Sequence, residues 1–385
     1  MTLKTLGCLT LVAAVAAGSV PAAAQGPIRI GASLSLTGTY AEPGRFQSEG
    51  YKLCEKDLNA KGGLLGRKVE FVVYDDQSRP DTGIRVYEKL ITEDKVDAVM
   101  GPYSSAISEA VANVTEKYRK VMVAPLAATT SIFKKGRRYI FMIVSPAEVY
   151  LEGLVDIAAR RGYKTIAIVN EDTLFPKASA QGTEELARKA GLKVVFKEAY
   201  PKGNQDFSGL LTKLKAANPD VVAAGTYFDD AVALARQMKE LDVNPKMVGV
   251  TVGGDIPKFQ DMLKQTAEYI YGSSQWEPTL PYPGAREFHD AYEKEFKHEP
   301  SYHAAAGYSG CMVYAEAVKK AGGLDSEKVR EALLGLKLRT MFGDFQVDKD
   351  GAQVAHKAVL LQWQEGKRVV VWPDELANGK PRFPR

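Results

Sequence analysis

The chain has 385 residues, of which 45% are hydrophobic and 25% are charged, and this is the composition of a globular protein. Lysine and arginine total 51 against 47 aspartate and glutamate residues, so the formal net charge is only +4. This small excess is spread along the chain without a basic cluster, which argues against nucleic acid as the main partner. The length allows two ordinary domains.

A targeting signal is predicted at the N-terminus. Lys4 provides a positive charge, the stretch from Leu6 to Val20 is apolar, and residues 22–24 are the small alanines of a cleavage site. We therefore expect residues 1–24 to be a signal peptide that is cleaved after Ala24. The apolar stretch is too short to cross a bilayer and no second candidate follows it, so we expect an exported, soluble chain that does not insert into the membrane.

Short β-branched runs alternate with helical patterns in the first part of the mature chain. The predicted strands cover residues 28–33, 69–74, 96–100, 121–125 and 139–144, and the predicted helices cover 44–58, 82–93 and 106–118. Ser145-Pro146 breaks this pattern. Strands that alternate with helices predict an α/β fold in which a mostly parallel sheet is flanked by helices.

The same alternation begins again at Glu148. The predicted helices cover residues 148–161, 178–190, 207–217 and a segment ending at 241, and the predicted strands cover 165–169, 194–199, 220–224 and 247–250. Two such runs, separated near Ser145, predict two lobes with a sheet each. The last third contains predicted strands at 269–273, 342–347, 357–364 and 368–371 and predicted helices at 284–296, 302–321 and 326–334. These strands are too few for a separate core, so we expect them to complete the two lobes.

Two neighbouring strand ends carry small hydrogen-bonding residues. Ser104 and Ser105 follow the strand at 96–100, and Thr129 follows the strand at 121–125. A single helix connects these strands, and such a crossover places both strand ends at one edge of the sheet. Ser104 or Ser105 also occupies the N-cap of that helix, where free amides and the helix dipole favour an anion. The pattern predicts a small-molecule crevice, although the same residues can serve only as helix caps.

Cys54 and Cys311 are the cysteines that remain after signal cleavage. An exported protein can join them in a disulfide, whereas the alternative is a pair of buried thiols in two helical segments. The sequence leaves this choice open.

Several motifs, in order along the chain, resemble the periplasmic leucine/isoleucine/valine-binding protein family. They are GASLSLTG at 31–38, NAKGGLLGRKVEFVVYDDQSRP at 59–80, VDAVMGPYSS at 96–105, APLAATTS at 124–131, YKTIAIVNED at 163–172 and DVVAAGTY at 220–227. Members are ABC transporter substrate-binding proteins with the type I periplasmic binding fold. The resemblance implies two lobes joined by three crossover strands, near Val144, Ser273 and Gly343. Lobe 1 would then comprise residues 25–145 and 274–343, and lobe 2 would comprise residues 146–273 and 344–385.

The resemblance also implies where a ligand is held between the lobes. The first-lobe positions that match the family's carboxylate site are Ser104, Ser105, Ala127, Ala128 and Thr129. Amides and hydroxyls suffice there, because several charge-assisted hydrogen bonds can hold a carboxylate without an arginine. In the second lobe, Phe175 and Tyr227 match aromatic positions that close over the ligand side chain.

One position departs from the family pattern. An acidic residue commonly meets the ligand's ammonium group at the position of Thr251. A buried ammonium group without an anionic partner is costly, so either Asp229 or Asp230 replaces that acid, or the ligand has no α-amino group. In the second case the ligand would be a small aromatic or aliphatic acid, and Trp276 could equally anchor the hinge loop. The residues that would line an apolar pocket for such an acid are Tyr40, Trp276 and Tyr302.

The resemblance implies the periplasmic substrate-binding component of an ABC importer, which delivers a branched-chain or other hydrophobic amino acid to an inner-membrane permease. A small non-amino carboxylate, such as an aromatic acid, is the alternative ligand, and a ligand-sensing module is an alternative role. An enzyme is disfavoured because the sequence lacks GxSxG, HExxH, GxxxxGK[ST] and GxGxxG motifs, and its four histidines fall in the last third. We expect no catalytic residue, no cofactor, no metal site and a monomer.

Overall fold

The computed structural model describes residues 26–383. The predicted signal peptide and its cleavage site lie outside the described residues. Within residues 26–383, no helix combines the length and the apolar character that crossing a bilayer requires. Two main sheets, each flanked by helices, form an α/β fold.

The first sheet has five parallel strands in the order β2-β1-β3-β4-β5. The elements of this part of the chain are β1 (Ile28–Leu34), α1 (Ala41–Ala60), β2 (Val69–Asp75), α2 (Pro80–Thr92), β3 (Ala98–Met100), α3 (Ser105–Lys117), β4 (Met122–Ala124) and β5 (Ile140–Met142). Strands β3 and β4 are buried along their whole length, as continuous apolar runs predict. Because these two strands are neighbours, the loops that follow them meet at the carboxyl edge of the sheet.

The second sheet has seven strands in the order β14-β13-β10-β9-β8-β6-β7. The chain builds it first with α4 (Glu152–Arg160), β6 (Thr165–Glu171), α5 (Leu174–Lys189), β7 (Lys193–Tyr200), α6 (Ser208–Ala217), β8 (Val221–Gly225), α7 (Phe228–Glu240), β9 (Met247–Val250), α8 (Pro257–Leu263) and β10 (Tyr271–Ser274). Strands β10, β9, β8, β6 and β7 are parallel. The loops after β6, β8 and β9 therefore leave from one edge of this sheet.

The last third of the chain completes both lobes, as its small number of strands predicts. Its elements are α9 (Ala285–Phe296), α10 (Tyr302–Ala321), α11 (Ser326–Leu334), β11 (Leu338–Thr340), β12 (Gly343–Phe345), β13 (Val359–Gln364) and β14 (Lys367–Trp372). Helix α10 packs so closely along α1 that a Cβ atom at Gly50 would lie 2.2 Å from Ala304 O. A disulfide between Cys54 and Cys311 joins the same two helices, which settles the choice that the sequence leaves open. Strands β13 and β14 extend the second sheet.

Two of the predicted crossovers are hydrogen-bonded to each other. Ser145, which follows β5, donates from its amide and from its hydroxyl to Gln275 Oε1, at 2.9 and 2.8 Å. Gln275 directly follows β10, so these contacts hold the first and second connections between the sheets side by side. Both residues are buried.

The third crossover was predicted near Gly343, but the chain still contacts the first sheet beyond that residue. Met142 N in β5 donates to Gly351 O at 2.9 Å. Gln353 Nε2 donates to Ile143 O at 3.1 Å. These contacts favour a third crossover between residue 353 and β13, and the division into lobes itself stays a prediction.

Two short elements, α8 and β11, were not predicted from the sequence. Helix α8 has seven residues and begins at Pro257. Strand β11 pairs antiparallel with β12 outside the two main sheets, and β12 is shorter than the strand predicted over residues 342–347. Such short segments contain too few residues for a periodic pattern to be recognised.

Candidate functional site

The two predicted strand ends of the first lobe meet. Ser104 is the N-cap of α3, and its Oγ accepts a hydrogen bond from Ile107 N at 3.3 Å. Ser105 Oγ accepts from Ala128 N at 3.1 Å and from Thr129 N at 3.3 Å. The Ser105 hydroxyl therefore joins the loop after β3 to the loop after β4.

The backbone at this edge offers hydrogen-bond donors to an anion. Ser104 has a φ of 74°, in the left-handed region that residues other than glycine seldom adopt and that is concentrated at functional sites. A carboxylate accepts hydrogen bonds more strongly than a hydroxyl, so it can compete with Ser105 Oγ for the amides of Ala128 and Thr129. The Thr129 hydroxyl is buried and has no hydrogen-bond partner among the described residues. Together with the N-terminus of α3, these groups suit a carboxylate without a fixed positive charge.

A narrow cavity lies against these strand ends. Its lining residues come from both lobes and are Tyr103, Ser104, Ser105, Leu126, Ala128, Tyr150, Phe175, Tyr227, Val252 and Tyr302. Only about 10 Å³ of it is open to the centre of a water molecule, far less than the roughly 300–1,000 Å³ of pockets that hold drug-sized ligands. A ligand therefore fits only when the walls of the cavity move apart.

Tyr227 lies at the centre of the aromatic walls. Its ring centroid is 4.4 Å from that of Tyr40, 6.1 Å from that of Tyr103 and 5.7 Å from that of Phe175. Tyr40 and Tyr103 follow strands of the first sheet, whereas Phe175 and Tyr227 follow strands of the second. The contacts of Tyr227 with Tyr40 and Tyr103 therefore cross the cleft. Burial raises the pKa of Tyr103 and Tyr227 well above the ordinary value, so both hydroxyls remain neutral donors.

The side chains expected to meet a ligand ammonium group do not line the cavity. Thr251 is fully buried, and its hydroxyl donates to Thr226 O at 2.9 Å and accepts from Thr226 N at 2.8 Å. Asp229 is exposed in the first turn of α7. Asp230 is buried, but its carboxyl accepts hydrogen bonds from a tyrosine hydroxyl at 2.5 Å and from Tyr227 N at 2.8 Å. Thr251 and Asp230 therefore hold strand and helix ends in place.

The aromatic residues expected around an apolar ligand have different positions. Tyr302 lines the cavity, and Tyr40 packs on Tyr227 beside it. Trp276 does not line it, because its ring is buried against Phe288 and its Nε1 donates to Met341 O at 3.0 Å. Trp276 thus anchors the segment after β10, which is the alternative that the sequence left open. Ala127 is buried but is not among the lining residues.

Two tyrosines of the cavity wall were not predicted. Tyr103 comes directly before the strand-end serines, and Tyr150 follows the first crossover. The place of Tyr103 within the motif VMGPYSS could have identified it, because residues beside a strand end share the same crevice. Nothing in the sequence distinguishes Tyr150 from other buried tyrosines.

Polar contacts join the lobes beside the cavity. Lys202, in the loop after β7, donates to Ser78 O at 2.9 Å, and its Nζ lies 4.0 Å from the ring centroid of Tyr40. Lys258 is paired with Glu42 at 2.9 Å. Side chains of both lobes therefore cover the cavity, and the two lobes are closed on each other.

A separate cluster on α9 has the composition of a metal site. His289, Asp290 and Glu293 have ligand atoms within 4.8 Å of one another. Both acids are exposed, as acidic groups commonly are without any ion, and none of the three residues lines the cavity. The cluster is therefore not part of the candidate site.

Comparison with known proteins gives a consistent result. A family model described as periplasmic binding protein matches residues 27–368. Leu/Ile/Val-binding protein homolog 7 of Brucella suis is 28% identical, over 97% of this chain and 98% of the relative. The crystal structure of the leucine-binding protein LivK from Thermotoga maritima has a TM-score of 0.83 at 23% identity, and the match covers 91% of this chain and 100% of that chain.

A second solved structure is a solute-binding protein of an ABC transporter from R. palustris, in complex with benzoate. It has a TM-score of 0.81 at 19% identity, and the match covers 90% of this chain and 95% of that chain. Both structural likenesses confirm the predicted α/β fold of mostly parallel sheets flanked by helices.

Proposed function

This chain belongs to the periplasmic binding protein family, and we propose that it is the substrate-binding component of an ABC importer that holds a small carboxylate between its lobes. One observation supports this above the others. Ser104, Ser105 and the amides of Ala128 and Thr129 converge at the N-terminus of α3, opposite aromatic side chains of the second lobe. A carboxylate placed there receives several uncharged donors, and closure of the lobes removes it from water.

The proposal places the mature chain in the periplasm, after cleavage at Ala24, and gives it an inner-membrane permease as its partner. Ligand binding shifts the chain from an open to a closed arrangement, because only the closed arrangement lets both lobes contact the ligand. The closed monomer then docks on the permease and releases the ligand. The proposed role is therefore binding and delivery, without a chemical step.

A branched-chain or other hydrophobic amino acid is the first candidate ligand. The Brucella relative is named as a Leu/Ile/Val-binding protein, and it matches this chain over nearly its whole length. Leu126, Val252 and Phe175 give the cavity the apolar surface that such a side chain requires.

A small aromatic acid is the second candidate, and the composition of the cavity favours it. Five of its ten lining residues are aromatic, and a ring contact can add about 0.5–1.5 kcal/mol beyond the burial of area. Neither Thr251 nor Asp229 lines the cavity, and an acid without an α-amino group requires neither. The protein from R. palustris, whose fold is similar, was solved with benzoate.

Thermal unfolding in the presence of single solutes tests the proposal. Leucine, isoleucine, valine and benzoate are each added to the purified mature chain, and a ligand at a thousandfold its dissociation constant should stabilise the protein by about 4 kcal/mol. Leucinamide and benzamide, which lack the carboxylate, are the matched controls and should leave the melting temperature unchanged. Equal stabilisation by acids and amides would contradict the carboxylate site. Chemical conversion of the bound solute would contradict the transport role.

A further inference from the structure

Two lysines of the second lobe reach across the cleft, on the side where helix α1 begins. Lys202, in the loop after β7, donates to Ser78 O at 2.9 Å, and its Nζ lies 4.0 Å from the ring centroid of Tyr40. Lys258, the second residue of α8, pairs with Glu42, in the first turn of α1, at 2.9 Å. Neither lysine is among the residues that line the cavity. These contacts therefore join one lobe to the other and leave the ligand to other residues.

The first-lobe acceptor for Lys202 is held in place by its own lobe. Ser78 N donates to Asp76 Oδ1 at 3.0 Å, and Ser78 Oγ donates to Thr37 O at 2.7 Å. Ser78 Oγ also accepts from Tyr40 N at 3.0 Å. The φ of Ser78 is 59°, in the left-handed region that residues other than glycine seldom adopt and that is concentrated at functional sites. The Ser78 carbonyl is thus fixed beside the Tyr40 ring, where Lys202 meets both.

Lys202 also lies close to a buried acid of each lobe. Asp76 belongs to the first lobe and Glu171 to the second, and both are buried. Burial lowers the pKa of Lys202, and the negative charges of Glu171 and Asp76 act in the opposite direction. Opening of the lobes leaves Lys202 with Glu171 and separates it from Asp76 and Ser78. Closure therefore brings this cation to an acid that it does not contact otherwise.

Lys258 lies near two acids that face each other across the cleft. Burial raises the pKa of Asp229 in the second lobe, the charge of Lys258 lowers it, and the charge of Glu42 in the first lobe raises it. Burial also acts to raise the pKa of Glu42, but hydrogen bonds from Lys258 and Arg45 outweigh it and lower that pKa. Without the charge of Lys258, Glu42 and Asp229 would repel each other and favour separation of the lobes.

Both contacts are accessible to dissolved salt. The side chain of Lys258 is 51% exposed, and Lys202 is also exposed. Exposed ion pairs contribute little singly, and their contribution falls as ionic strength rises, because the screening length decreases from about 10 Å at 0.1 M to about 3 Å at 1 M. The aromatic contacts across the cleft do not depend on charge in this way.

We propose that Lys202 and Lys258 form an ionic latch that holds the lobes closed and makes the rate of ligand release depend on ionic strength. This inference rests on the proposed function, because it assumes that the lobes open and close around a ligand. It goes further by assigning part of the stability of the closed arrangement to residues that do not touch the ligand. The latch therefore acts on every ligand alike, and the chain releases its ligand faster in a saltier medium.

Stopped-flow release of a bound acid tests the inference. The acid is whichever of leucine, isoleucine, valine and benzoate binds most tightly, and release is measured in sodium chloride at about 0.1 M and about 1 M. High salt should speed release from the wild-type protein about threefold. The double variant Lys202→Met/Lys258→Met, which keeps the side-chain length and removes both charges, should release about tenfold faster at low salt and should not accelerate with salt. Lys213→Met is the matched control, because Lys213 pairs with Glu198 inside the second lobe at 3.0 Å, and it should keep the wild-type rates.

A second comparison isolates the repulsion between the facing acids. Lys258→Met alone should speed release, and adding Asp229→Asn to it should slow release again by about twofold, because one of the two like charges is removed. Loss of packing around α8 would not be rescued by this second substitution. Absence of the rescue therefore overturns the role of Lys258 in the latch.

The outcomes separate this inference from the proposed function. An unchanged release rate in Lys202→Met/Lys258→Met, or the same acceleration with salt as in the wild type, overturns the latch and leaves the carboxylate site standing. Failure of all four acids to bind overturns the proposed function. Small-angle X-ray scattering of the unliganded protein then decides on the latch. The double variant should have a larger radius of gyration than Lys213→Met, and equal radii overturn the latch as well.

Discussion

The two edges of the cavity use different chemistry. The first-lobe edge offers hydroxyls and backbone amides, which Ser104 and Ser105 hold in place at the start of α3. The second-lobe edge offers the large side chains of Phe175, Tyr227 and Val252, which follow three separate strands. Backbone donors suit the carboxylate that all the candidate ligands share, whereas side chains on separate loops can select among acids. We therefore expect the first-lobe serines and amides to supply affinity, and the second-lobe side chains to contribute to selectivity.

The largest expected effect concerns the stability of the first lobe, which contains the Cys54–Cys311 disulfide. Replacing both cysteines with serine should lower the free energy of unfolding by about 2–5 kcal/mol, because the bond restricts the unfolded chain. The two residues are 257 positions apart in the sequence, so the closed loop is long. Urea denaturation measures the change, and the reduced wild-type protein is the control that should match the variant. An unchanged midpoint would contradict a stabilising role for this bond.

The close packing of α1 on α10 gives the next effect. In Gly50→Ala, the new Cβ would lie 2.2 Å from Ala304 O, and overpacking of this kind typically costs about 1–3 kcal/mol. Gly209→Ala in α6 of the second lobe is the matched control, because nothing lies within 4 Å of its added Cβ. The control should be neutral or stabilising by up to about 1 kcal/mol. Equal melting temperatures for the two variants would show that α1 and α10 are not tightly packed.

Substitutions at the two edges test the comparison directly. Ser105→Ala removes the hydroxyl that joins the two strand ends and one donor to a ligand carboxylate. It should weaken the binding of every acid by a similar factor, about tenfold for a loss of about 1.4 kcal/mol. Tyr227→Leu in the second lobe should instead change the order in which acids are preferred. Titration with a common panel of acids gives both results, and a changed order in Ser105→Ala would contradict the division of roles.

The pH dependence of stability is the most gradual of the predicted effects, and it belongs to the second lobe. Burial raises the pKa of Asp230 to about 8, whereas an aspartate in the unfolded chain titrates at about 3.9. Between about pH 4 and pH 8 the folded state therefore holds a proton that the unfolded state has lost. Stability should therefore fall as pH rises from about 4 to about 8, by at most about 1.4 kcal/mol per pH unit. Asp230→Asn should flatten the melting temperature between about pH 5 and pH 8.

Asp220→Asn is the control for that experiment. The hydrogen bond from Lys246 is the main cause that lowers the pKa of Asp220 to about 2, so its carboxylate stays ionised in both states over the tested range. This control should lower the melting temperature by a similar amount at every pH. An Asp230→Asn profile as steep as that of the wild type would show that Asp230 does not titrate with folding.

The two edges also differ in how far the sequence could predict them. Ser104 and Thr129 follow strands that one helix connects, and such a crossover places both ends on the same edge whatever the rest of the chain does. Thr251 matched the family's acidic position, but its hydroxyl is used by Thr226. The loop then turns at Gly253, which has a φ of 109°, before it reaches Asp255. A loop conformation of this kind leaves no periodic signal in the sequence, so the position of Asp255 could not be predicted.

The third crossover also involves distant parts of the chain. The family resemblance implied a crossover near Gly343. Beyond that residue, the chain contacts β5 through Gly351, whose φ of 86° favours glycine. Contacts between segments two hundred residues apart decided that path, and local residue patterns do not contain them.

Each sheet or its flanking helices gain elements from the last third of the chain, and this order has a consequence for biogenesis. Helix α1 acquires its partner α10 only after residue 302, and the second sheet acquires β13 and β14 only after residue 359. A chain that emerges from a translocation channel N-terminus first would therefore complete neither core until nearly all of it has emerged. If the chain is exported as its sequence predicts, we expect it to cross the membrane before either core is complete, so that Cys54 meets Cys311 on the far side, where oxidation is permitted.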